Sequence, residues 1–390
     1  MKKIKLSEPL INYKEFSNIK NVLKSGWLTT GGVTLKLENN VKKLFKVDHA
    51  LAVNSCTNGL HVSLVANGIG QGDEVVTSPF TFVSTINNLY HLKTKIILAD
   101  IQLSDYNIDI DDIKKKVNAR TKCILPIHYS GNPANLLEII QISKKKNIKI
   151  IEDAACAFGA KIKNQFIGSH GTDSTVFSLY GNKVITSGEG GIVVVKDKKI
   201  YRKIKELIFC GMSKNIFERK KKKQNWFYNV NQPGFKYNIS DIQSAIALAQ
   251  LGKLKNIINY REKIFKTYNR NLEELIQEGI LKPIIIDRRN KSSHYIYTLL
   301  IKTEKLKCSR DRIGQFLSSK GIGNTVHYIP AHKHNFYKKI FKKFNLKNCD
   351  YVYDRIITLP MHNKLNQKNL IYICNQLNKF IKVNYIKKNY

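Results

Sequence analysis

Apolar residues recur every three to four positions over 13–25 and again over 33–45, which predicts two amphipathic helices at the start of the chain. A loop rich in Gly and Thr, SGWLTTGG at 25–32, separates them. From residue 50 the pattern changes. Short runs at 50–54, 74–78, 95–100, 122–128, 148–152 and 192–195 are apolar on both faces, and helical stretches at 57–66, 81–90, 136–146 and 199–209 alternate with them. Strands without a polar face, separated by helices, are what a buried, mostly parallel sheet with helical crossovers requires. The expected fold is therefore α/β.

A long helical pattern then runs over 240–276, with Ala245, Leu248, Ala249, Leu251 and Leu254 on its apolar side. It has the length of a connector, which divides the chain into a large domain at 1–250 and a smaller one at 251–390. The second part combines a Tyr-rich strand at 294–301, a helix at 310–320, a His-rich segment at 327–334 and a last helix at 367–381, an α+β composition. No internal repeat is present.

Composition narrows the function classes. The chain has 390 residues, 43% of them hydrophobic, enough for a large core. It contains no run of 18 apolar residues, so no membrane span is expected. The basic start, MKKIKLSEPLINYKEF, has no apolar core of a secretion signal, and a cytoplasmic protein is expected. Cys56, Cys123, Cys156, Cys210, Cys308, Cys349 and Cys374 are odd in number, form no C-x-x-C pair and lack a His cluster at ligand spacing. Reduced thiols fit this better than disulfides or a metal site. A net charge of +37 would suit nucleic acid or a diphosphate-linked ligand. The lysines are nevertheless spread throughout, the densest run at 219–223 sits in a polar stretch, and no basic-aromatic interleaving or helix-turn-helix supports nucleic-acid binding.

Three segments carry candidate chemistry. IKIIEDAACAFG at 148–159 is a buried strand ending in two carboxylates, at the end where parallel sheets bind ligands. There Asp153 suits the partner of a protonated heteroaromatic nitrogen; a helix cap is the structural alternative. VFSLYGNKVITSGEGG at 176–191 leads a strand into a Gly-Asn-Lys turn. Ser178 offers a hydroxyl to a phosphate, and partial desolvation is expected to lower the pKa of Lys183, supplying a neutral amine for imine formation. VNSCTNGLH at 53–61 places Cys56 and Thr57 at a helix N-terminus, whose free amides bind anions; a plain N-cap by Ser55 or Thr57 is the alternative.

Taken together with GDEVVTSPFTFVST at 72–85, TKCILPIHYSGNP at 121–133, PGFKYNISDIQSAIALAQL at 233–251 and GIGNTVHY at 321–328, these segments resemble the DegT/StrS family of sugar aminotransferases over essentially the whole chain. The resemblance implies an aspartate-aminotransferase-like (fold type I) large domain with a smaller α+β C-terminal domain, and pyridoxal 5'-phosphate (PLP) as cofactor. It implies that Lys183 is the catalytic Schiff-base lysine and that Asp153 pairs with the pyridine nitrogen. Phe82 would stack on the ring, while Thr57, Ser178 and the amides near Cys56 hold the phosphate. Asn238 would reach the phosphate from a second subunit, making a homodimer. Thr29, Thr30, His327 and Tyr328 fall where relatives line the sugar pocket.

The implied reaction moves an amino group from L-glutamate to a keto carbon, C4, of a nucleotide-diphosphate keto sugar for glycan biosynthesis. A 3-aminotransferase stays open. A dehydratase branch of the family has histidine in place of the lysine, and Lys183 argues against it. SGWLTTGG and PGFKYN resemble relatives acting on UDP-4-keto pentoses, whereas GNKVITSGEGG and LIYICNQLNKF resemble makers of GDP-perosamine, so the nucleotide stays open too. The chain departs from the family at Cys156, where Gln, His or Glu is common, and at Cys56 and Asn58, which replace small residues.

Overall fold

The computed structural model describes residues 3–213, Phe217 and 226–386; the basic run at 219–223 lies outside them. After α1 (Tyr13–Ser25) and α2 (Gly32–Phe45), the strands β1 (His49–Val53), β2 (Glu74–Thr77), β3 (Lys95–Leu98), β4 (Thr121–Leu125) and β5 (Lys149–Asp153) follow, the first four each leading to a helix or helical turn. The intervening helices are α3 (Cys56–Ala66), α4 (Ser84–His91), α5 (Ile110–Lys116) and α6 (Leu136–Lys146). A short hairpin, β6 (Lys161–Ile162) and β7 (Gln165–Phe166), precedes β8 (Ser174–Ser178), β9 (Gly191–Val195) and α7 (Lys198–Leu207). Seven strands make one sheet in the order β1-β9-β8-β5-β4-β2-β3.

From β8 to β3 every neighbour pairs in parallel, while β9 runs antiparallel to both β8 and β1. The reversal has a local cause. The chain passes from β8 to β9 through the Lys183–Gly190 loop, with no helix to carry it back across the sheet, so the next strand must run the other way. Burial is complete along β2, β8 and β9, as the apolar runs require.

The continuous helix expected over 240–276 is instead three: α8 (Asp241–Leu251), α9 (Leu254–Asn271) and α10 (Glu273–Gln277). The first break lies where Lys253 turns away to pair with Glu15 and to donate to the Leu10 carbonyl at 2.8 Å. Gln250 makes the same turn towards Glu15, at 2.7 Å. The helix itself ends at Gly252, the poorest helix former after proline. Beyond it, β10 (Leu281–Pro283), β12 (Tyr297–Ile301) and β13 (Ile356–Leu359) form a second, antiparallel sheet, while β11 (Asn290–Lys291) joins the small hairpin. It packs with α11 (Arg310–Ser319), α12 (Asn335–Ile340), α13 (Lys347–Arg355) and α14 (Gln367–Asn384). Periodicity missed α5 and α13 because each buries only two side chains: Ile110 and Ile113, and Cys349 and Val352.

The TTGG loop is pinned by a residue more than two hundred positions away. Asp241, 3% exposed, accepts the Gly31 and Thr34 amides at 2.9 Å and the Val33 amide at 3.1 Å, and so caps α2 from another helix. A Cβ at Gly31 would meet the Trp27 indole at 2.2 Å, which explains the glycine. Asp241→Ala strands these donors and should cost roughly 2–4 kcal/mol, read as a lower urea midpoint; an unchanged midpoint would refute the cap.

Candidate active site

The three segments meet at one cavity of about 570 Å³, lined among others by Cys56, Thr57, Phe82, Asp153, Cys156, Ser178, Lys183, Tyr295, His327 and Tyr328. Strand alternation sorts the two carboxylates of β5. Asp153 lines the cavity, whereas Glu152 points the other way, fully buried with His128 Nε2 at 2.8 Å and the hydroxyls of Thr172 and Thr175 at 2.5 Å. Burial pushes the Glu152 carboxyl up, but His128 and the two threonines outweigh it and hold it below its ordinary range. No helix follows β5; residues 154–160 form turns, so Asp153 is not a helix cap. Its Oδ1 accepts the Ala155 amide at 3.1 Å and its Oδ2 accepts Thr85 Oγ1 at 2.6 Å.

Lys183 is set by the turn after β8. Its amide donates to the Tyr180 carbonyl at 2.9 Å, and the Tyr180 amide donates to Ser178 Oγ at 3.2 Å. Ser178 therefore keeps its own hydroxyl proton to give to an anion. The Lys183 ammonium stands 3.4 Å from Cys156 Sγ and 4.2 Å above the Tyr295 ring. The expectation of a lowered lysine pKa is corrected here. Burial does pull it down, but Cys156, Tyr295 and Cys56 pull harder the other way, so without cofactor the amine holds its proton above its ordinary range.

At α3, Ser55 is an N-cap, accepting the Asn58 amide at 3.1 Å, and its carbonyl takes the Gly59 amide at 3.0 Å. Among the described residues this leaves the first amides of the helix, at Cys56 and Thr57, for a ligand. Gly191 lies so close that a Cβ there would meet the Cys56 nitrogen at 2.8 Å, which makes a narrow cradle. Phe82 is 60% exposed although it borders the cavity; among the described residues the ring paired with it is Tyr328, at 6.4 Å.

His327 lines the cavity, with Nδ1 3.0 Å from Thr358 Oγ1, and its carbonyl accepts the Tyr129 hydroxyl at 2.5 Å. The Tyr328 hydroxyl stands 3.7 Å from Cys156 Sγ. Asn238 and Thr30 do not join this cavity. Asn238 Nδ2 donates to Thr30 Oγ1 at 2.7 Å, and both border a separate hollow beside α2; Thr29 is exposed. Thr85, Tyr129 and Tyr295 belong to the site and escaped sequence reasoning. Thr85 lay in a quoted segment, four positions after Thr81, but nothing local distinguishes it.

Histidine burial has a consequence for pH. Burial and the Lys183 charge push His327 down to about 4. Burial brings His294 to about 4 as well, with Glu262 pulling the other way and Arg261 and Lys266 adding to the fall. Between the ordinary histidine range and this value the unfolded chain binds more protons than the folded one. Stability is therefore present at neutral pH and lost as pH falls towards 4, by about 1.4 kcal/mol per pH unit per group. Melting at pH 7.5 and 5 should show the loss, and His294→Asn should flatten the slope; an equal slope in that variant would count against the assignment.

An anion cradle, a carboxylate, an amine and an open aromatic face around one cavity fit PLP. The fold and this donor set define a PLP-dependent aminotransferase of fold type I. Residues 9–378 match the DegT/DnrJ/EryC1/StrS aminotransferase family, and the chain belongs to it. It is 39% identical over 378 residues to the uncharacterized protein MJ1066 of Methanocaldococcus jannaschii, covering 96% of this chain and 97% of that one. It is 34% identical over 367 residues to the Bacillus subtilis spore coat polysaccharide biosynthesis protein SpsC, covering 93% of each. Among solved structures, Helicobacter pylori PseC, an aminotransferase involved in the biosynthesis of pseudoaminic acid, superposes with a TM-score of 0.89 at 28% identity over 98% of this chain and 100% of that one. All seven cysteines are free, and no helix among the described residues is long and apolar enough to cross a membrane.

Proposed function

We propose that this chain transfers an amino group from L-glutamate to the C4 keto carbon of a nucleotide-diphosphate keto sugar destined for a surface glycan. The observation that carries this reading is the single cavity where Lys183, Asp153, Ser178 and the start of α3 come together. SpsC supports the polysaccharide context and PseC the sugar chemistry. PLP, when bound, acts as an electron sink for the carbon that gives or receives the amine.

The chain's residues divide the remaining work. The Cys56 and Thr57 amides and Ser178 Oγ bind the phosphate, and Phe82 covers one face of the ring. Asp153 holds a proton at the ring nitrogen. Lys183 Nζ binds the cofactor and, once displaced by the amino donor, moves the proton between carbons as base and then acid. Cys156 Sγ, 3.4 Å from Lys183 Nζ, occupies the place where the Gln, His or Glu of relatives reaches towards the cofactor, and it offers a weaker hydrogen-bonding group there. Tyr328 and His327, neutral at pH 7, line the sugar side.

The reading includes a homodimer. Tyr13, Phe16, Leu23 and Leu35 of α1 and α2 expose 45–73% of their surface, and Leu35 borders the same hollow as Asn238 and Thr30. A second copy over this face would bring its Asn238 and TTGG loop to the phosphate and sugar. The test is a panel of UDP-, GDP- and dTDP-linked 4-keto sugars with glutamate consumption as readout. Amination of one of them at C4 is expected. Product aminated at C3, or no product from any of them by a PLP-loaded protein, would overturn the substrate assignment.

A further inference from the structure

Asp153 is held by more than its own strand. Thr85, in the first turn of α4, is 1% exposed and gives its one hydroxyl proton to Asp153 Oδ2 at 2.6 Å. Thr81 Oγ1 lies 3.3 Å from Thr85 Oγ1 and belongs to the cavity wall. Because the Thr85 proton is committed to the carboxylate, Thr81 must be the donor between the two threonines. The result is a directed chain, Thr81 to Thr85 to Asp153, in which each bond polarises the next. The Ala155 amide takes the other carboxylate oxygen. With both oxygens engaged from different elements, the carboxylate plane cannot turn without losing a bond. Each oxygen still keeps a lone pair.

We propose that Thr85 is the positioning residue that aims the Asp153 carboxylate at the cofactor's ring nitrogen, with Thr81 as the outer link. The proposal rests on the reading of Asp153 as the ring-nitrogen partner. The segment PFTFVST then does two things at once: Phe82 covers the ring face while Thr81, just before α4, and Thr85, in its first turn, set the acid beside its edge. An isosteric Thr85→Val removes the donor and leaves a buried carboxylate oxygen short of a bond. The carboxylate becomes free to rotate, and the proton on the ring nitrogen is held less well. A less positive ring withdraws fewer electrons, so the lysine–cofactor linkage keeps its own proton to higher pH.

The test compares the PLP-loaded wild type with Thr85→Val, Thr85→Ser, Thr81→Val and Asp153→Asn. The pH midpoint of the visible band, the PLP dissociation constant and the rate of the glutamate half-reaction are measured for each. Thr85→Val should move the midpoint upward by about half a unit or more and slow the half-reaction about tenfold or more, the scale of one hydrogen bond to a charged group. Thr85→Ser should restore both to within about twofold of wild type, which a merely space-filling threonine would not explain. Thr81→Val should shift the midpoint the same way by less, and it keeps the test alive if Thr85→Val does not fold. A wild-type midpoint and rate in Thr85→Val, with both altered in Asp153→Asn, would overturn the proposal and leave the Asp153 reading standing. Unaltered values in Asp153→Asn itself would remove that reading and the proposal with it.

Discussion

Lys183→Ala should give a folded protein that binds no cofactor covalently, shows no visible band and has lost transamination by more than about a thousandfold. The fold should survive because the side chain is only half-buried and its neighbours are the Cys156 thiol at 3.4 Å and the Tyr295 ring at 4.2 Å, neither of which depends on it for burial of a charge. Chemistry cannot survive, because the same Nζ both holds the cofactor and moves the proton. Lys183→Arg sharpens the point: it keeps the charge above Tyr295 but cannot form the linkage. Substantial activity in either variant would sink the assignment. The raised proton affinity of Lys183 adds a kinetic signature. Since only the neutral amine attacks a carbonyl, PLP should load onto the apoprotein faster as pH rises.

Asp153→Asn should separate binding from catalysis. The substitution keeps the shape of the side chain and an acceptor oxygen for Thr85 or Ala155, while removing the charge that holds a proton on the ring nitrogen. Cofactor should still load through Lys183 and the phosphate cradle, yet turnover should fall by about a hundred- to a thousandfold. The comparison of PLP content with kcat is the decisive measurement. More than about a tenth of wild-type turnover at full loading would refute the role.

Much of this molecule was legible before its coordinates. Helices α1 and α6 and the run of buried strands follow from periodicity, because a strand covered on both faces must be apolar at every position and an amphipathic helix at every third or fourth. Ser178 and Asp153 were readable for a related reason: each ends a strand, where local order places it at the ligand edge of the sheet, and Lys183 follows in the turn after β8. The resemblance of these ordered segments to one family then supplied the cofactor.

The rest depended on approaches that no local pattern encodes. Thr85 meets Asp153 across 68 positions, and Asp241 caps α2 across 210. Tyr295 comes from beyond the connector to lie under Lys183, and with the thiols it reverses the expected shift in the lysine's proton affinity. Beside the break in the connector at Gly252, Lys253 and Gln250 reach Glu15 of α1 across more than two hundred positions. By itself the sequence determined most strands and helices of the first part of the chain and nominated Lys183 and Asp153 as the reacting groups, since burial and strand ends are properties of short segments. The electrostatic state of the lysine and the aim of the carboxylate were decided only by tertiary structure, because charge and hydrogen bonding act through space between residues that the chain keeps far apart.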